Sequence, residues 1–167
     1  MEAVSLSCSH YTGNRDGAQC VSLASGQRVS MLQAMYTATK HIDFCYGHRL
    51  LQYEGPCRHL HGHNGRIEVD VKSEKLDDRG MVVDFADIKR ILKTWIDETL
   101  DHRMLLCKDD PLVPVLQQRG EKHYLLDENP TAENMAKLIF RYARSKGLPV
   151  TEVRLWETPT SFATYRE

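Results

Sequence analysis

Between residues 57 and 71 the chain sets a thiol and three imidazoles at spacings suited to metal and proton-transfer chemistry. Cys57, His59, His61 and His63 lead into Asn64 and the alternating run Arg66, Ile67, Glu68, Val69, Asp70, Val71. Residues i and i+2 of an extended strand share a face, so His61 and His63 can converge on one ion. Zinc binds imidazole nitrogen at about 2.0–2.1 Å, within reach of two such side chains. Gly62 between them leaves the opposite face uncrowded. His48, earlier in the chain, is a third candidate. Three protein ligands with an open fourth position is the plan of a catalytic zinc site. Scattered surface histidines are the poorer account of a His-x-His pair that opens a strand. His59, in a loop beside Pro56, reads as a solvent group.

Near a divalent cation and imidazoles a thiol ionises more readily and becomes a competent base or nucleophile. Cys57, between Pro56 and Arg58 in a loop, suits that role better than burial as a small apolar residue; burial is the better account of Cys45 and Cys107. Asp101 and His102 follow a helix, where the dipole favours an imidazolium and the carboxylate can orient the ring. By itself that dipeptide is a weak signal. Glu157 ends an apolar strand beside Thr158 and Pro159, where a carboxylate can pair with a planar N–H edge. A solvated strand-end glutamate is its ordinary reading, and residue pattern alone does not displace it.

The elements that must position these groups are legible in part. Residues 36–44 and 66–73 read as strands, with a turn over 76–80 and a short return strand over Met81, Val82 and Val83. Asp84 opens a helix whose stripe is Phe85, Ile88, Ile91, Leu92, Trp95, Ile96, Thr99 and Leu100. A long connection over 108–128 follows, with Pro111 and Pro114 as breakers. Thr131 caps a second helix with the buried stripe Met135, Leu138, Ile139 and Tyr142, and Gly147 ends it. Residues 150–157 and 161–166 make the last strands. This order predicts the α+β class, a four-stranded antiparallel sheet with two helices on one face.

At 167 residues the chain holds one domain with a real core. A formal charge of −1 gives no footprint for nucleic acid or an anionic membrane, and no apolar run spans a bilayer. Five cysteines without framework spacing, and a start lacking basic and apolar signal regions, point to a reducing cytoplasm. Residues 1–34 lack apolar period and read as a disordered extension ahead of a domain over 35–167. Cys8, His10 and Cys20 there have no second metal-binding half, and Met31 and Met35 are alternative starts.

In order, the markers are Gly47-His48, Cys57, His61-Gly62-His63-Asn64, Gly80 to Phe85, Leu100-Asp101-His102, Pro130-Thr131, Glu133-Asn134 and Glu157-Thr158. This series strongly resembles the 6-pyruvoyl-tetrahydropterin synthase family, and within it the 6-carboxytetrahydropterin-forming branch of queuosine and 7-deazapurine biosynthesis. The resemblance implies the tunnelling fold (T-fold), with barrel trimers, often stacked in pairs, and active sites between subunits. It implies zinc on His48, His61 and His63. Cys57 is then the catalytic base, Asp101 and His102 the proton-transfer partners, and Glu157 with Thr158 the pterin-binding end. The implied reaction takes 7,8-dihydroneopterin triphosphate to 6-carboxy-5,6,7,8-tetrahydropterin, acetaldehyde and triphosphate. The short gap from Cys57 to His61 resembles the carboxy-forming branch. Triphosphate elimination alone, giving the pyruvoyl product, and a non-catalytic zinc or pterin-binding module remain as alternatives. Lys40, Arg49 and Arg66 are candidates for the triphosphate by charge. The chain departs from the family at Tyr46-Gly47, where Ala-Ala is frequent, and at Leu106-Cys107, where an asparagine is usual.

A chain beginning at Met35 is expected to fold and turn over like the full sequence, because residues 1–34 carry no apolar face. Aggregation of that shortened chain, or loss of its oligomeric state by light scattering, would give the extension a structural role.

Overall fold

The computed structural model describes residues 34–167. The extension expected over 1–34 lies outside them but for its last residue. The antiparallel pair β1 (Tyr36–His48) and β2 (His61–Ser73) runs in unbroken register from Tyr36 opposite Ser73 to His48 opposite His61. Both strands exceed their predicted lengths, and the extra residues carry the histidines. Gly47 faces Gly62 there, and glycine weakens the local strand signal. A β-carbon at Gly62 would stand 2.8 Å from the Tyr46 carbonyl oxygen, so the close approach of the strands requires glycine.

Phe85–Ile88, the π-helical Lys89–Lys93 and Thr94–Thr99 run on as one helix, α1. Asp84 caps it, accepting from the Ala86 N–H at 2.8 Å. Ile88, Leu92, Ile96 and Leu100 are fully buried at every fourth position, whereas Phe85, placed on the stripe by periodicity, is half-exposed. The return strand expected at Met81–Val83 is absent. The Asp77 carboxylate instead takes the N–H groups of Arg79 and Met81 at 2.9 Å, which spends those amides on a turn.

The connection after α1 holds structure that the sequence pattern did not give. β3 (Arg103–Cys107), α2 (Val113–Arg119) and β4 (His123–Leu126) form a crossover, with β3 parallel to β1 and β4 parallel to β3. Pro114 falls in the first turn of α2, where the missing N–H costs nothing, so it starts a helix instead of breaking one. α3 (Ala132–Ser145) is capped by Thr131, whose hydroxyl accepts from the Asn134 N–H at 3.3 Å. β5 (Val150–Thr158) and β6 (Ser161–Arg166) complete a sheet ordered β4-β3-β1-β2-β5-β6. The α+β class and the predicted antiparallel unit β1-β2-β5-β6 hold. The sheet is mixed and six-stranded because the two short parallel strands extend it.

Ile42, Phe44 and Tyr46 on β1, Ile67, Val69 and Val71 on β2, and Val153 and Leu155 on β5 share one face and one core with α1 and α3. Trp95 and Tyr142 stack at 4.0 Å between the two helices. No helix among the described residues is long and apolar enough to cross a membrane.

The crossover is tied to the end of β1 by Arg49, whose Nε donates to Asp110 Oδ2 at 2.7 Å while Nη2 pairs with Oδ1. Asp110 is 2% exposed and also accepts from the Leu112 N–H. Burial works to raise its pKa, but the hydrogen bonds and charge of Arg49 with the Leu112 N–H hold it below the carboxylate range. A depressed folded-state pKa contributes stability that is present above the unfolded value, about 3.9, and lost as pH falls through the folded one. Asp110→Asn should therefore cost about 2–4 kcal/mol at pH 7. Denaturant unfolding should show the gap to wild type narrowing below about pH 4; a pH-independent gap would exclude the ion pair as its source.

Candidate metal centre

The β1–β2 register and strand alternation put His48, His61 and His63 on the core-facing side at one end of the sheet. The ring centroids of His48 stand 4.5 Å from His61 and 5.1 Å from His63, and those of His61 and His63 are 5.1 Å apart. One nitrogen from each lies within 4.8 Å of the others, so the three can hold a metal ion. His48 is buried and the other two half-buried.

The tautomers support that fit. His48 Nδ1 lies 2.7 Å from the Pro130 carbonyl oxygen, and His61 Nδ1 2.8 Å from that of His59. Carbonyl oxygens only accept, so each Nδ1 carries a proton, and each ring in its neutral form presents an Nε2 lone pair. Those two Nε2 atoms are 3.1 Å apart. Facing lone pairs repel unless a cation lies between them. Two ligands of a tetrahedral ion bound at about 2.0–2.1 Å stand about 3.3 Å apart. Burial lowers the His48 pKa and outweighs the Pro130 carbonyl and the Glu157 charge, which act to raise it. His48 is thus a neutral ligand at pH 7.

A second layer fixes His48. The Asn129 side chain accepts from the Leu51 N–H at 2.8 Å and donates to the Leu51 carbonyl at 2.9 Å, as a neighbouring strand would. Asn134 Nδ2 donates to the Asn129 carbonyl at 2.9 Å. These bonds hold the carbonyl of Pro130 against the ring. In the sequence, an asparagine before a proline signals no more than a turn ahead of the helix.

Glu157 reaches the same end from β5. Its Oε1 accepts from the Tyr46 hydroxyl at 3.0 Å and stands 3.8 Å from His48 Nε2. Burial, then the charge and hydrogen bond of Glu157, raise the Tyr46 pKa far above the ordinary phenol value, so Tyr46 stays a donor. Tyr46 was missed as a site residue; its place two residues before His48 and opposite His63 was the available signal.

Asp101 and His102 are held beside Cys45, and His102 lines an open cavity of about 740 Å³ together with His63. Asp101 Oδ1 accepts from the Cys45 N–H at 2.8 Å, its Oδ2 is 2.9 Å from His102 Nδ1, and the His102 N–H donates to the Cys45 carbonyl at 2.7 Å. Burial works to raise the Asp101 pKa, yet the Cys45 N–H and the His102 contact outweigh it and hold the carboxyl below its usual range. His102 sits at φ 54° with its side chain exposed. With Cys45, Asn64, Arg66 and Trp156 it borders an open cleft of about 870 Å³ on the face of the sheet away from the helices. Cys45 is half-buried, contrary to its reading as an inert core residue, and its thiol lies 3.1 Å from Asn64 Oδ1.

Cys57 sits half-buried in a 3₁₀ turn, Pro56–Arg58, anchored through its carbonyl to the Leu50 N–H at 2.9 Å. Its thiol has no hydrogen-bond partner among the described residues, Asp101 and His102 included. Thr158 is exposed, its hydroxyl 3.4 Å from that of Thr160. Of the basic candidates for the triphosphate, Arg49 is spent on Asp110 and Arg66 on Asp43, at 2.7 Å.

Comparison with known proteins gives this arrangement a context. The family described as 6-pyruvoyl tetrahydropterin synthase matches residues 37–167. The chain is 37% identical over 135 residues to the 6-carboxy-5,6,7,8-tetrahydropterin synthase of Rickettsia conorii, covering 77% of this chain and 98% of that one. The Haemophilus influenzae protein of the same name is 32% identical over 141 residues, covering 80% and 100%. Among solved structures, an uncharacterized protein of Wolinella succinogenes superposes with a TM-score of 0.67 at 30% identity, over 80% of this chain and 99% of its own. The Caenorhabditis elegans 6-pyruvoyl tetrahydropterin synthase does so with a TM-score of 0.61 at 26% identity, over 81% and 97%.

Asn129→Ala should loosen the Pro130 carbonyl and weaken divalent-metal binding by about 10–100-fold, the usual cost of losing a ligand's outer partner. Competition with a chromophoric chelator on the full-length protein measures this. His61→Ala should bind far more weakly still, and an unchanged affinity in Asn129→Ala would remove Asn129 from the metal's support.

Proposed function

The chain belongs to the 6-pyruvoyl tetrahydropterin synthase family, and from that premise we propose a zinc-dependent lyase acting on 7,8-dihydroneopterin triphosphate. With one water consumed, its products are 6-carboxy-5,6,7,8-tetrahydropterin, acetaldehyde and triphosphate, and its place is the cytoplasmic route to queuosine and 7-deazapurines. The observation that carries this reading is the meeting of three imidazoles with the Glu157 carboxylate, 3.8 Å from His48. It occurs in a chain more than a third identical to relatives named for that product.

His48, His61 and His63 hold the zinc, which supplies Lewis acidity and makes C–H and O–H groups of a bound side chain easier to deprotonate. Cys57 as thiolate removes the proton. His102 returns it, oriented by Asp101 at 2.9 Å. Glu157 accepts from the 2-amino and ring N–H edge of the pterin, a two-point contact that fixes a planar heterocycle, beside the hydroxyl of Thr158.

This division of labour favours an oligomer. The histidines face the core side of the sheet, whereas His102 borders the cleft on the other side. In this reading a neighbouring copy brings its His102 to the metal site. The edges favour such an assembly. β3 covers only Tyr46–His48 of β1, which leaves the start of β1 open on that side, and β6 is open at the opposite edge. Joining unlike edges head to tail closes a ring. The trimer, or pair of stacked trimers, that the family resemblance implies is such a ring. A formal charge of −1 fits a small-molecule substrate rather than nucleic acid.

The likeness to the C. elegans enzyme favours a second reading, triphosphate elimination without carbon–carbon cleavage. Product mass after incubation with 7,8-dihydroneopterin triphosphate separates the two. Cys57→Ala should lower kcat by about 10²-fold or more while retaining zinc, in keeping with loss of a general base. Turnover of that variant at the wild-type rate would remove Cys57 as the base, whereas no turnover by the wild-type protein would leave a pterin-binding module.

A further inference from the structure

We propose that Tyr46 is a positioning residue, whose phenol sets the Glu157 carboxylate in the orientation that receives the heterocycle. The proposal rests on the reading of Glu157 as the pterin-binding carboxylate. Tyr46 ends the run Ile42, Phe44, Tyr46 on the core-facing side of β1 and is 4% exposed. A hydroxyl buried among apolar neighbours is costly unless it is hydrogen-bonded, and its partner is Glu157 Oε1 at 3.0 Å.

The path of that bond is built into the sheet. Glu157 lies on β5 and Tyr46 on β1, with β2 between them. The phenol must therefore cross β2, and it does so over Gly65. A β-carbon at Gly65 would come within 2.8 Å of Tyr46 Cε1, so any larger residue would displace the ring. The ring is held on its other sides as well. It stacks on Phe44 at 5.2 Å, meets His48 edge-on at 5.3 Å and lies tilted against His63 at 5.7 Å. With the ring fixed by four neighbours, the position of its hydroxyl is fixed too.

A carboxylate offers about four lone-pair sites. Tyr46 uses one, on Oε1, and leaves enough for a two-point contact with an N–H edge. Glutamate has three side-chain torsions to immobilise on binding; a hydrogen bond already in place in the free protein spares the ligand that entropy. The phenol thus acts through Glu157, and its removal should appear in binding ahead of chemistry.

The test uses the zinc-loaded full-length protein and three variants, Tyr46→Phe, Glu157→Ala and the double change. Tyr46→Phe keeps the ring and removes only the hydroxyl. It should raise KM for 7,8-dihydroneopterin triphosphate, and the Kd for the unreactive probe neopterin, by about 10-fold or more, with little change in kcat. Zinc content should stay at the wild-type level. Glu157→Ala should bind still more weakly, and Tyr46→Phe should add nothing to it. Wild-type binding by Tyr46→Phe alongside weak binding by Glu157→Ala overturns the role of Tyr46 and leaves that of Glu157 standing. Additive losses in the double variant overturn it too, since Tyr46 would then act without Glu157. Wild-type binding by Glu157→Ala removes the pterin-binding carboxylate itself, and the Tyr46 proposal falls with it.

Discussion

The antiparallel register of β1 on β2 holds His48 against His61, Gly47 against Gly62 and Tyr46 against His63. A slip of one residue in either strand would carry that strand's imidazoles to the other face and disperse the three nitrogens. The facing glycines permit the close approach, and the apolar alternation of Ile42, Phe44, Ile67 and Val69 holds the rest of the ladder in step. The same register forces two Nε2 lone pairs to within 3.1 Å. That repulsion is relieved by a cation, so binding an ion and locking this end of the sheet are thermodynamically linked.

The crossover β3-α2-β4 takes its meaning from the same end of the sheet. Asp110, between β3 and α2, is clamped by Arg49, and Asn129 and Pro130, after β4, are bonded to Leu51 and His48. Both points are thus fastened to the first ligand or the residues that follow it. β3 pairs with β1 only at Tyr46–His48, which backs the ligand strand where its chemistry lies. A segment that looks like an insertion in the sequence serves as a brace for one imidazole.

What the sequence disclosed follows from how strongly each feature repeats. Leu92, Ile96 and Leu100 at fourth positions, and the alternation in 66–73, are periodic signals, and both survived. β3 and β4 have five and four residues and no alternation. Leu105, Leu106 and Cys107 are buried in succession, as in strands covered on both faces, so period 2 is absent. The His61–His63 pair was legible because its spacing matches a strand. Tyr46 was hidden because an aromatic in a strand is ordinarily core, and Asn129 because an asparagine before proline ordinarily marks a turn. Neither role can be read without knowing that β1, β5 and the start of α3 meet.

The uncovered face of the sheet bears on how copies would associate. Arg154 binds Glu68 at 2.9 Å, Asp70 at 3.2 Å and Glu152 at 2.5 Å, and Thr39 donates to Asp70 at 2.6 Å. Asp70 and Glu152 are buried even though the described helices α1 and α3 pack on the other side. Charges so closely satisfied by one another ask little of solvent, which suits a face enclosed by neighbouring copies better than one meant to bind a free ion. On the reading proposed here that face carries His102 and Asp101, while the metal ligands lie on the other. Catalysis would then belong to the assembly: each sheet gives its metal site to one reaction centre and its proton-transfer pair to the next.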